Sequence, residues 1–449
     1  GVVVEGLQPA TTYHFRVYSY NDCGGTPTYD TTGTDAQQAT DVTMRKPAGK
    51  GSSSNPYQIS RLEELAWLMS NDTAWHRHYV QTADLNAGKT KNWFEGKGFQ
   101  PIGNTTTPFN GTYNGRSHAI DSLYINRKAS ENIGLFGLAG FSAEIDSVSI
   151  TNSDVAGGRS VGLLVGQNRG VVTGCSSTGK VYGAFTDKYV YAGGLIGLHK
   201  GALMESFSLA DVQSDGHLVG GLAGRNHAAT IMNCYSRGDV SGKDHVGGLV
   251  GNNHQAAATI QDCYSTGSVS GNQYVGGLLG FDDGGSVQSS FWDTDSAGVA
   301  QSAGGSGKTS DKMMDPMTYV NAGWDYADET VNGTMDPWFY NESHNDGYPF
   351  LSWQGFGHTC MPFPARDIVF GGADSTSITL DSYTSYGSDG FVIYINDTTE
   401  WAQPANGSEP TADNIWNNNG QQCVYRGASH EPGVVVEGLQ PATTYHFRV

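Results

Sequence analysis

Short hydrophobic boxes recur along the middle of the chain at a nearly constant interval. Six of them combine glycines with aliphatic residues, and their aligned leucines are 29, 31, 27, 27 and 29 residues apart. These leucines are Leu135, Leu164, Leu195, Leu222, Leu249 and Leu278. A second box follows each of the first kind, as in NCYSRGDV at 233–240. Because glycine costs about 1 kcal/mol per residue in a helix, the pattern favours short strands joined by tight turns.

The length of this repeat points to one architecture. A unit of 27–31 residues with two or three short strands matches one coil of a parallel β-helix. Strands of successive coils would pair about 4.8 Å apart, and the aligned leucines would stack inside the coils. Each coil would bury three or four aliphatic side chains, which contribute roughly 5–10 kcal/mol before chain entropy is subtracted. We therefore predict an all-β chain built on a solenoid.

One segment before the repeats has helical periodicity. The apolar positions of LEELAWLM at 62–69 recur at helical spacing, and Ser60 with Glu63 predicts a capping box at the start of the helix. We expect this short helix to cover the end of the solenoid. Such a cap hides strand edges that would otherwise pair with other chains.

The two ends of the chain share an identical segment. GVVVEGLQPATTYHFRV stands at 1–17 and again at 433–449, an offset of 432 residues. The simplest interpretation is a tandem array with a 432-residue period, in which one domain is divided between the two ends of this chain. The alternative is a pair of similar domains that share a strand by descent.

The C-terminal segment shows a second β pattern. Runs of alternating apolar residues are separated by Gly, Asn, Asp and Pro about every ten residues, which is typical of an all-β sandwich. The runs lie at 377–380, 391–395, 423–425, 434–436 and 445–449. The stretch GLQPATTYHFRV resembles the fibronectin type III signature. That resemblance implies a core role for Leu439 and a corner role for Tyr445, with copies at Leu7 and Tyr13.

The middle of the chain resembles the GLUG-motif repeats, on the Gly-Leu boxes described above. GKGSSSNPYQI resembles the opening of such a domain and GYPFLSWQG its end. Together the two resemblances imply three parts. Residues 1–45 form the C-terminal part of a fibronectin type III domain, residues 46–357 a GLUG-type β-helix, and residues 358–449 the N-terminal part of a domain completed by the next repeat. This combination resembles large tandem-repeat surface proteins of Bacteroidota.

Charge narrows the range of partners. The 449 residues carry 25 basic and 44 acidic side chains, a net charge of −19, and Gly accounts for 62 positions. Such an acidic chain repels nucleic acids and anionic lipids. A run of about 18 apolar residues, as a membrane span needs, does not occur in the sequence. We expect no membrane insertion in this segment and an extracellular location on the cell surface.

Motifs for catalysis are missing from the sequence. HExxH does not occur, and no GxSxG or Walker A pattern stands in a strand–helix context, so we predict a chain that is not an enzyme and has no cofactor. The acidic positions near the last coil are Asp282, Asp283, Asp293 and Asp295. Aspartates in that arrangement could bind Ca²⁺ or hydrolyse glycosides, but Asp and Gly are also the ordinary residues of tight turns. Turn chemistry is the preferred interpretation.

Aromatic residues occupy equivalent places on successive coils. Tyr235 and Tyr264 align with each other, and Phe207 and Phe291 align with them. Aromatic rings stacked along a solenoid can form a packing ladder or a platform for sugar rings. We favour the packing ladder.

The cysteines fall into two groups. Cys175, Cys234 and Cys263 share one register of the coil, where we expect buried free thiols. Cys360 and Cys23 lie in the segments that resemble a fibronectin type III domain. In that fold the two positions lie at the same pole, so the resemblance implies a disulfide from Cys360 to the next repeat's copy of Cys23. An exported protein would meet the oxidising conditions that this bond requires.

Several Asp-Ser and Asp-Thr pairs resemble the O-glycosylation signal of Bacteroidota. The candidate acceptors are Thr31, Thr73, Ser122, Ser296, Ser375 and Thr398. The sequence as a whole predicts a structural repeat unit of a giant secreted fibre or adhesin stalk, whose partners are adjacent repeats and laterally assembled copies. An adhesive module that binds glycans or other cells is the alternative, and a polysaccharide-active enzyme is less favoured.

Overall fold

The computed structural model describes residues 44–186, 190–327 and 335–356 in full. Near the two ends it describes the backbone of residues 20–21, 28–29, 366–373, 378–384, 391–396, 422–427, 434–437 and 446–448. The chain divides into two compact units, Gly1–Met313 and Met314–Val449. The predicted domain boundaries at 45/46 and 357/358 stay predictions.

The first unit is a parallel β-solenoid, as the repeat predicts. One strand of each Gly-Leu box contributes to a six-stranded parallel sheet, which we call the box sheet. Its strands are Phe136–Ala139, Val165–Asn168, Ile196–His199, Ala223–His227, Val250–His254 and Leu279–Asp283. Val165 pairs with Phe136 on one side and with Ile196 on the other, and the later coils continue this register. The spacing of the leucines therefore corresponds to one coil per repeat.

A nine-stranded parallel sheet forms a second wall of the solenoid. Its strands are Tyr57–Ile59, His78–Gln81, Thr112–Asn114, Glu144–Asp146, Val171–Thr173, Ala202–Met204, Thr230–Met232, Thr259–Gln261 and Ser286–Gln288. The remaining strands also pair between successive coils. They lie in the second boxes and in the turns that lead into the first boxes. They are Leu85–Asn86, Ala119–Asp121, Tyr124–Ile133, Ser149–Val161, Ser176–Gly183, Ala192–Gly193, Phe207–Ser208, Asp211–Ser214, Val219–Gly220, Tyr235–Ser236, Val240–Ser241, Asp244–Gly247, Tyr264–Ser265, Val269–Ser270, Gln273–Gly276, Phe291–Asp293 and Ser306–Lys308.

The six aligned leucines form the centre of the core. All of them are 0% exposed, and they belong to one continuous hydrophobic cluster that runs through the coils. The thiols of Cys175, Cys234 and Cys263 are free and buried in the same cluster. Both features confirm the sequence prediction.

The last glycine of each box permits adjacent coils to approach closely. A Cβ atom on Gly251 would lie 2.5 Å from the backbone nitrogen of Val219, and one on Gly197 would lie 2.4 Å from that of Val161. Real Cβ atoms do not approach backbone so closely. The glycine is therefore required by packing between coils rather than by a positive φ.

Helix α1, Leu62–Ser70, follows the first edge strand and buries its apolar face with Tyr57 and Ile59. The predicted capping box is wrong, because the N-cap is Arg61 and its side chain makes no capping bond. The helix starts one residue later than predicted, so Glu64 rather than Glu63 contacts Ser60, which precedes the helix. The Glu64 carboxylate accepts hydrogen bonds from Ser60 N (2.8 Å) and Ser60 Oγ (3.0 Å).

Other helices are short. Helix α2 spans Thr294–Ala297, α3 Ser310–Met313 and α4 Met317–Val320. Single 3-10 turns occupy Asp72–Ala74, Gly88–Asn92, Asn345–Gly347 and Ser352–Gln354. In the portion of the chain that the structure describes, every helix is too short and too polar to cross a membrane.

The second unit contains antiparallel strands. Trp338–Phe339 pairs with Phe350–Leu351. Two three-stranded antiparallel sheets follow, one of Arg366–Ala373, Ile378–Thr384 and Val434–Val436, the other of Gln422–Gly427, Phe391–Asn396 and His446–Arg448. All five predicted runs thus contain strands. Near the other end of the chain, within the first unit, Tyr20–Asn21 pairs with Thr28–Tyr29.

Candidate binding surface on the box sheet

A buried polar ladder runs along the inner side of the box sheet. One residue per coil contributes: Asn168, His199, Asn226, Asn253 and Asp282 are in register, the first four buried and Asp282 partly buried. Asn226 Nδ2 donates to Asn253 Oδ1 (2.9 Å), and Asn253 Nδ2 donates to Asp282 Oδ1 (3.1 Å). Since buried polar groups are costly unless they are hydrogen-bonded, this ladder favours one register between coils.

His199 is fully buried within that ladder. Its Nδ1 lies 3.3 Å from Asn168 Nδ2 and its Nε2 lies 3.0 Å from the carbonyl oxygen of Thr230. Burial lowers the pKa of His199 to about 4, against a smaller opposing effect of the Thr230 carbonyl. A neutral imidazole fits both contacts, because Nε2–H donates to the carbonyl and Nδ1 accepts from the amide.

Basic side chains follow the ladder on the outside of the solenoid. The residue after each ladder position is Arg169, Lys200, His227, His254 or Asp283, and Arg225 lies beside this column. We call Arg169, Lys200, Arg225 and His227 the cationic strip. The last residue of the column is acidic: it is Asp283, whose Oδ2 lies 2.5 Å from His254 Nδ1.

Burial and neighbouring positive charges lower the pKa values of Lys200 and His227 in the strip. Burial lowers the pKa of Lys200, and the charges of Arg169 and Arg225 lower it further. Burial also lowers the pKa of His227 to about 4, followed by the effects of Lys200, Arg225 and His254. Crowded like charges of this kind occur at functional sites as well as in structural networks.

Hydrogen-bonding atoms of this surface lack partners. Arg225 Nε, His227 Nδ1 and His245 Nδ1 are all buried without a hydrogen bond. Nowhere in residues 44–186, 190–327 and 335–356 does a carboxylate form an ion pair with Lys200 or Arg225. Arg225 Nε is always a donor, and since a buried donor without a partner costs free energy, it is suited to an external acceptor.

Aromatic rings flank the strip at both ends. His245 stacks on Tyr274 with centroids 4.8 Å apart, and Phe281 contacts both rings at 5.0 and 5.1 Å. Tyr274 is 54% exposed. At the other end the Arg169 guanidinium lies 5.5 Å from the ring centre of Phe141, which is 79% exposed. Exposed rings beside cations can contact both the face and the charge of a ligand.

The four candidate aspartates for Ca²⁺ are engaged elsewhere. Asp282 accepts from Asn253 and from the Gly285 backbone (3.1 Å), and Asp283 pairs with His254. Asp293 caps helix α2 by accepting from Asp295 N (2.9 Å) and Ser296 N (3.2 Å). These contacts are turn and cap chemistry, the interpretation favoured from the sequence.

Only one pair of these aspartates is brought together. Asp293 accepts from Ser310 Oγ (2.8 Å) and Asp295 from Ser310 N (2.9 Å), so both carboxylates hold the start of α3. Within the residues that the structure describes, no group of three His, Cys, Asp or Glu side chains could hold a metal ion.

The aromatic ladder is present. Phe207 and Tyr235 stack with centroids 4.7 Å apart, Tyr235 and Tyr264 stack at 4.9 Å, and Phe291 continues the register. All four rings are buried and offer no open face to a sugar. Strand alternation places Tyr235 on the face opposite to Cys234 and Ser236, so the ladder lies outside the central cluster.

Other candidate residues have mixed placements. Thr73 and Ser296 are exposed, and Ser122 is partly buried. The Ser296 hydroxyl donates to the Thr266 carbonyl (2.6 Å). Thr31, Ser375 and Thr398 lie outside the described residues, as do Cys23, Cys360, Leu7, Tyr13, Leu439 and Tyr445.

Sequence reasoning missed the cationic strip, although a signal for it exists. Five residues after five of the six aligned leucines, starting with Leu164, stand Arg169, Lys200, His227, His254 and Asp283. Extending the alignment of the boxes to these positions would have exposed the basic column. Arg225 and its unpaired Nε could be recognised only from the packing.

A comparison with known protein families identifies the repeat. The model described as the GLUG motif matches residues 157–182, 215–241 and 244–270. This chain contains GLUG-motif repeats. The matched segments cover coils of the solenoid, and the second includes Arg225, His227 and Tyr235.

Two curated proteins are similar to part of this chain. Halomucin of Haloquadratum walsbyi is 35% identical over 154 residues, which are 33% of this chain and 2% of halomucin. A protein of Evansella cellulosilytica named as a Gly-rich membrane protein is 35% identical over 132 residues, 28% of this chain and 15% of that protein. The chain therefore matches only a small part of the length of either relative.

Among solved structures, a protein of Bacteroides ovatus described as an immunoglobulin A1 protease is similar with a TM-score of 0.49 and 17% identity. The likeness covers 70% of this chain and 96% of that one. At this level it supports no conclusion about activity.

Proposed function

We propose that this chain is a non-enzymatic structural repeat unit of a large cell-surface fibre or adhesin stalk. The observation that carries the proposal is the continuous stack of coils, in which the six box strands pair in register over one unbroken core. Such a solenoid is extended along one axis and suits a spacer. The names halomucin and Gly-rich membrane protein support a location at the cell surface.

The proposal includes the 432-residue period. The identical segments at 1–17 and 433–449 would belong to consecutive copies. Residues 358–449 of one copy and residues 1–45 of the next would then complete a fibronectin type III sandwich, closed by a disulfide between Cys360 and the next Cys23. The resemblance to surface proteins of Bacteroidota and O-glycosylation at the candidate acceptors belong to the same proposal.

An adhesive module that binds glycans or other cells is the second candidate function. The cationic strip with its aromatic flanks favours it, because neither the buried ladder nor the core requires those side chains on the outside. Repetition along a fibre would then multiply weak contacts into avidity. A polysaccharide-active enzyme is the third and least favoured candidate.

Electron microscopy of the native material tests the structural proposal. From about 4.8 Å per coil and one sandwich per period, we expect filaments with an axial repeat of roughly 90–100 Å. Lateral assembly would appear as bundles with this repeat in register. Discrete particles only a few modules long would contradict the fibre.

A further inference from the structure

The cationic strip combines three observations that point to a missing partner. Lys200 and Arg225 have no carboxylate partner in the described part of the chain, on a protein whose net charge is −19. Arg225 Nε and His227 Nδ1 are buried without hydrogen bonds. Burial lowers the pKa of Lys200, and the charges of Arg169 and Arg225 lower it further. Burial likewise lowers the pKa of His227, followed by the charges of Lys200 and Arg225, so the groups of the strip are crowded. An external anion would relieve all three.

We infer that the cationic strip binds the carboxylate or sulfate groups of an acidic polysaccharide. The inference rests on the proposed surface role and deepens it, since it names the class of ligand for the adhesive alternative. Arg225 would hold an anion through its guanidinium, including the unfilled Nε, and Lys200 would supply a second charge from the neighbouring coil.

The spacing of the strip suits a polymer with widely separated charges. Arg169, Lys200 and His227 occupy three successive coils, so the column is about 10 Å long. That length accommodates two or three anionic groups carried on successive sugars or disaccharides. Phe141 at one end and Tyr274 with His245 at the other offer ring faces against which sugar rings can pack.

A nucleic acid fits this surface less well. Duplex DNA carries one charge per about 1.7 Å of axis, and contacts along several turns provide most of its affinity. The strip neutralises only a few charges, and the acidic remainder of the chain would repel the rest of such a polymer. A polysaccharide with sparser charges meets less of this repulsion.

Affinity electrophoresis and calorimetry of the whole chain test the inference. The probes are polygalacturonate for carboxylates, dextran sulfate for sulfates, neutral dextran, and a single-stranded oligonucleotide. We expect binding to at least one acidic polysaccharide and none to dextran. The affinity should fall between about 50 mM and about 300 mM NaCl, because ion contacts are screened by salt.

A pair of double variants identifies the surface. Lys200→Ser with Arg225→Ser should weaken binding about tenfold or more, since each removes a charged hydrogen-bond donor. Lys89→Ser with Lys97→Ser removes the same charge from exposed positions outside the box sheet and should change affinity less than about twofold. Thermal unfolding curves check that each variant folds. Arg225→Lys keeps the charge, removes Nε, and should give a smaller loss.

Three results would overturn the inference: no binding to either acidic polysaccharide, equal losses in the two double variants, or tighter binding to the oligonucleotide. Whether the sulfated or the carboxylated polymer binds more tightly decides the source of the anion. These measurements use the isolated chain, so they stand even where microscopy finds no fibre. Conversely, filaments without polysaccharide binding would leave the structural proposal intact.

Discussion

The fully buried imidazole of His199 makes the stability of the solenoid depend on pH. His199 has a folded-state pKa of about 4, whereas an unfolded histidine has one near 6.5. The unfolded state therefore binds a proton first as the pH falls, and folding loses stability between pH 6.5 and 4. We expect wild type to lose roughly 2–3 kcal/mol from this site between pH 7 and pH 4.5. Urea titrations at a series of pH values measure it.

Replacement of this histidine isolates its contribution. Asparagine is the residue of the neighbouring ladder positions Asn226 and Asn253, so His199→Asn should fold and show a flatter pH dependence than wild type. His76→Asn removes an exposed histidine and serves as the control. Identical pH dependence in wild type and His199→Asn would show that the buried imidazole is not responsible.

For individual residues, the sequence predicted those that repeat in one register, but not those whose role depends on the residues of adjacent coils. The six leucines and the three free thiols could be predicted because one register recurs along the chain. The unfilled Nε of Arg225 depends on what surrounds it on adjacent coils, which no single coil of sequence contains. The cap of α1 shows the same limit, since a one-residue shift of the helix start exchanged Glu63 for Glu64.

At the scale of the element, the last glycine of each box sets how closely coils can pack. Gly251→Ala would place a methyl group 2.5 Å from Val219 N, so the coils would have to separate. We expect a loss of about 3 kcal/mol or more in the free energy of unfolding. Gly298→Ala is the matched control, because its Cβ meets nothing within 4 Å and only its φ of +69° is unfavourable.

The control should cost about 1–2 kcal/mol, the usual penalty for a left-handed alanine. Chemical denaturation of both variants gives the comparison. A Gly251→Ala variant no less stable than Gly298→Ala would mean that the coils can yield at the box glycine. The period of the boxes could be predicted from sequence, but this reason for the glycine could not, because the clash involves a strand one coil away.

For the whole molecule, the two compact units have different kinds of core. The solenoid buries one long aliphatic stack, whereas the second unit buries an aromatic group that includes Trp324 and Trp338, with ring centroids 4.5 Å apart. Sequence reasoning predicted the solenoid from its repeat and the terminal strands from their alternation. It also placed the closing segment with the solenoid, and that boundary stays a prediction.

Separate cores predict separate unfolding. We expect calorimetry of the whole chain to resolve two transitions, because each unit buries its own hydrophobic residues. Leu222→Ala removes a fully buried side chain from the solenoid and should destabilise one transition by about 2–5 kcal/mol while leaving the other in place. Trp338→Ala, also at a fully buried position, should affect only the other transition. If either variant shifts both transitions together, the two units unfold as one cooperative body. A fibre of such repeats would then unfold as a whole rather than one module at a time.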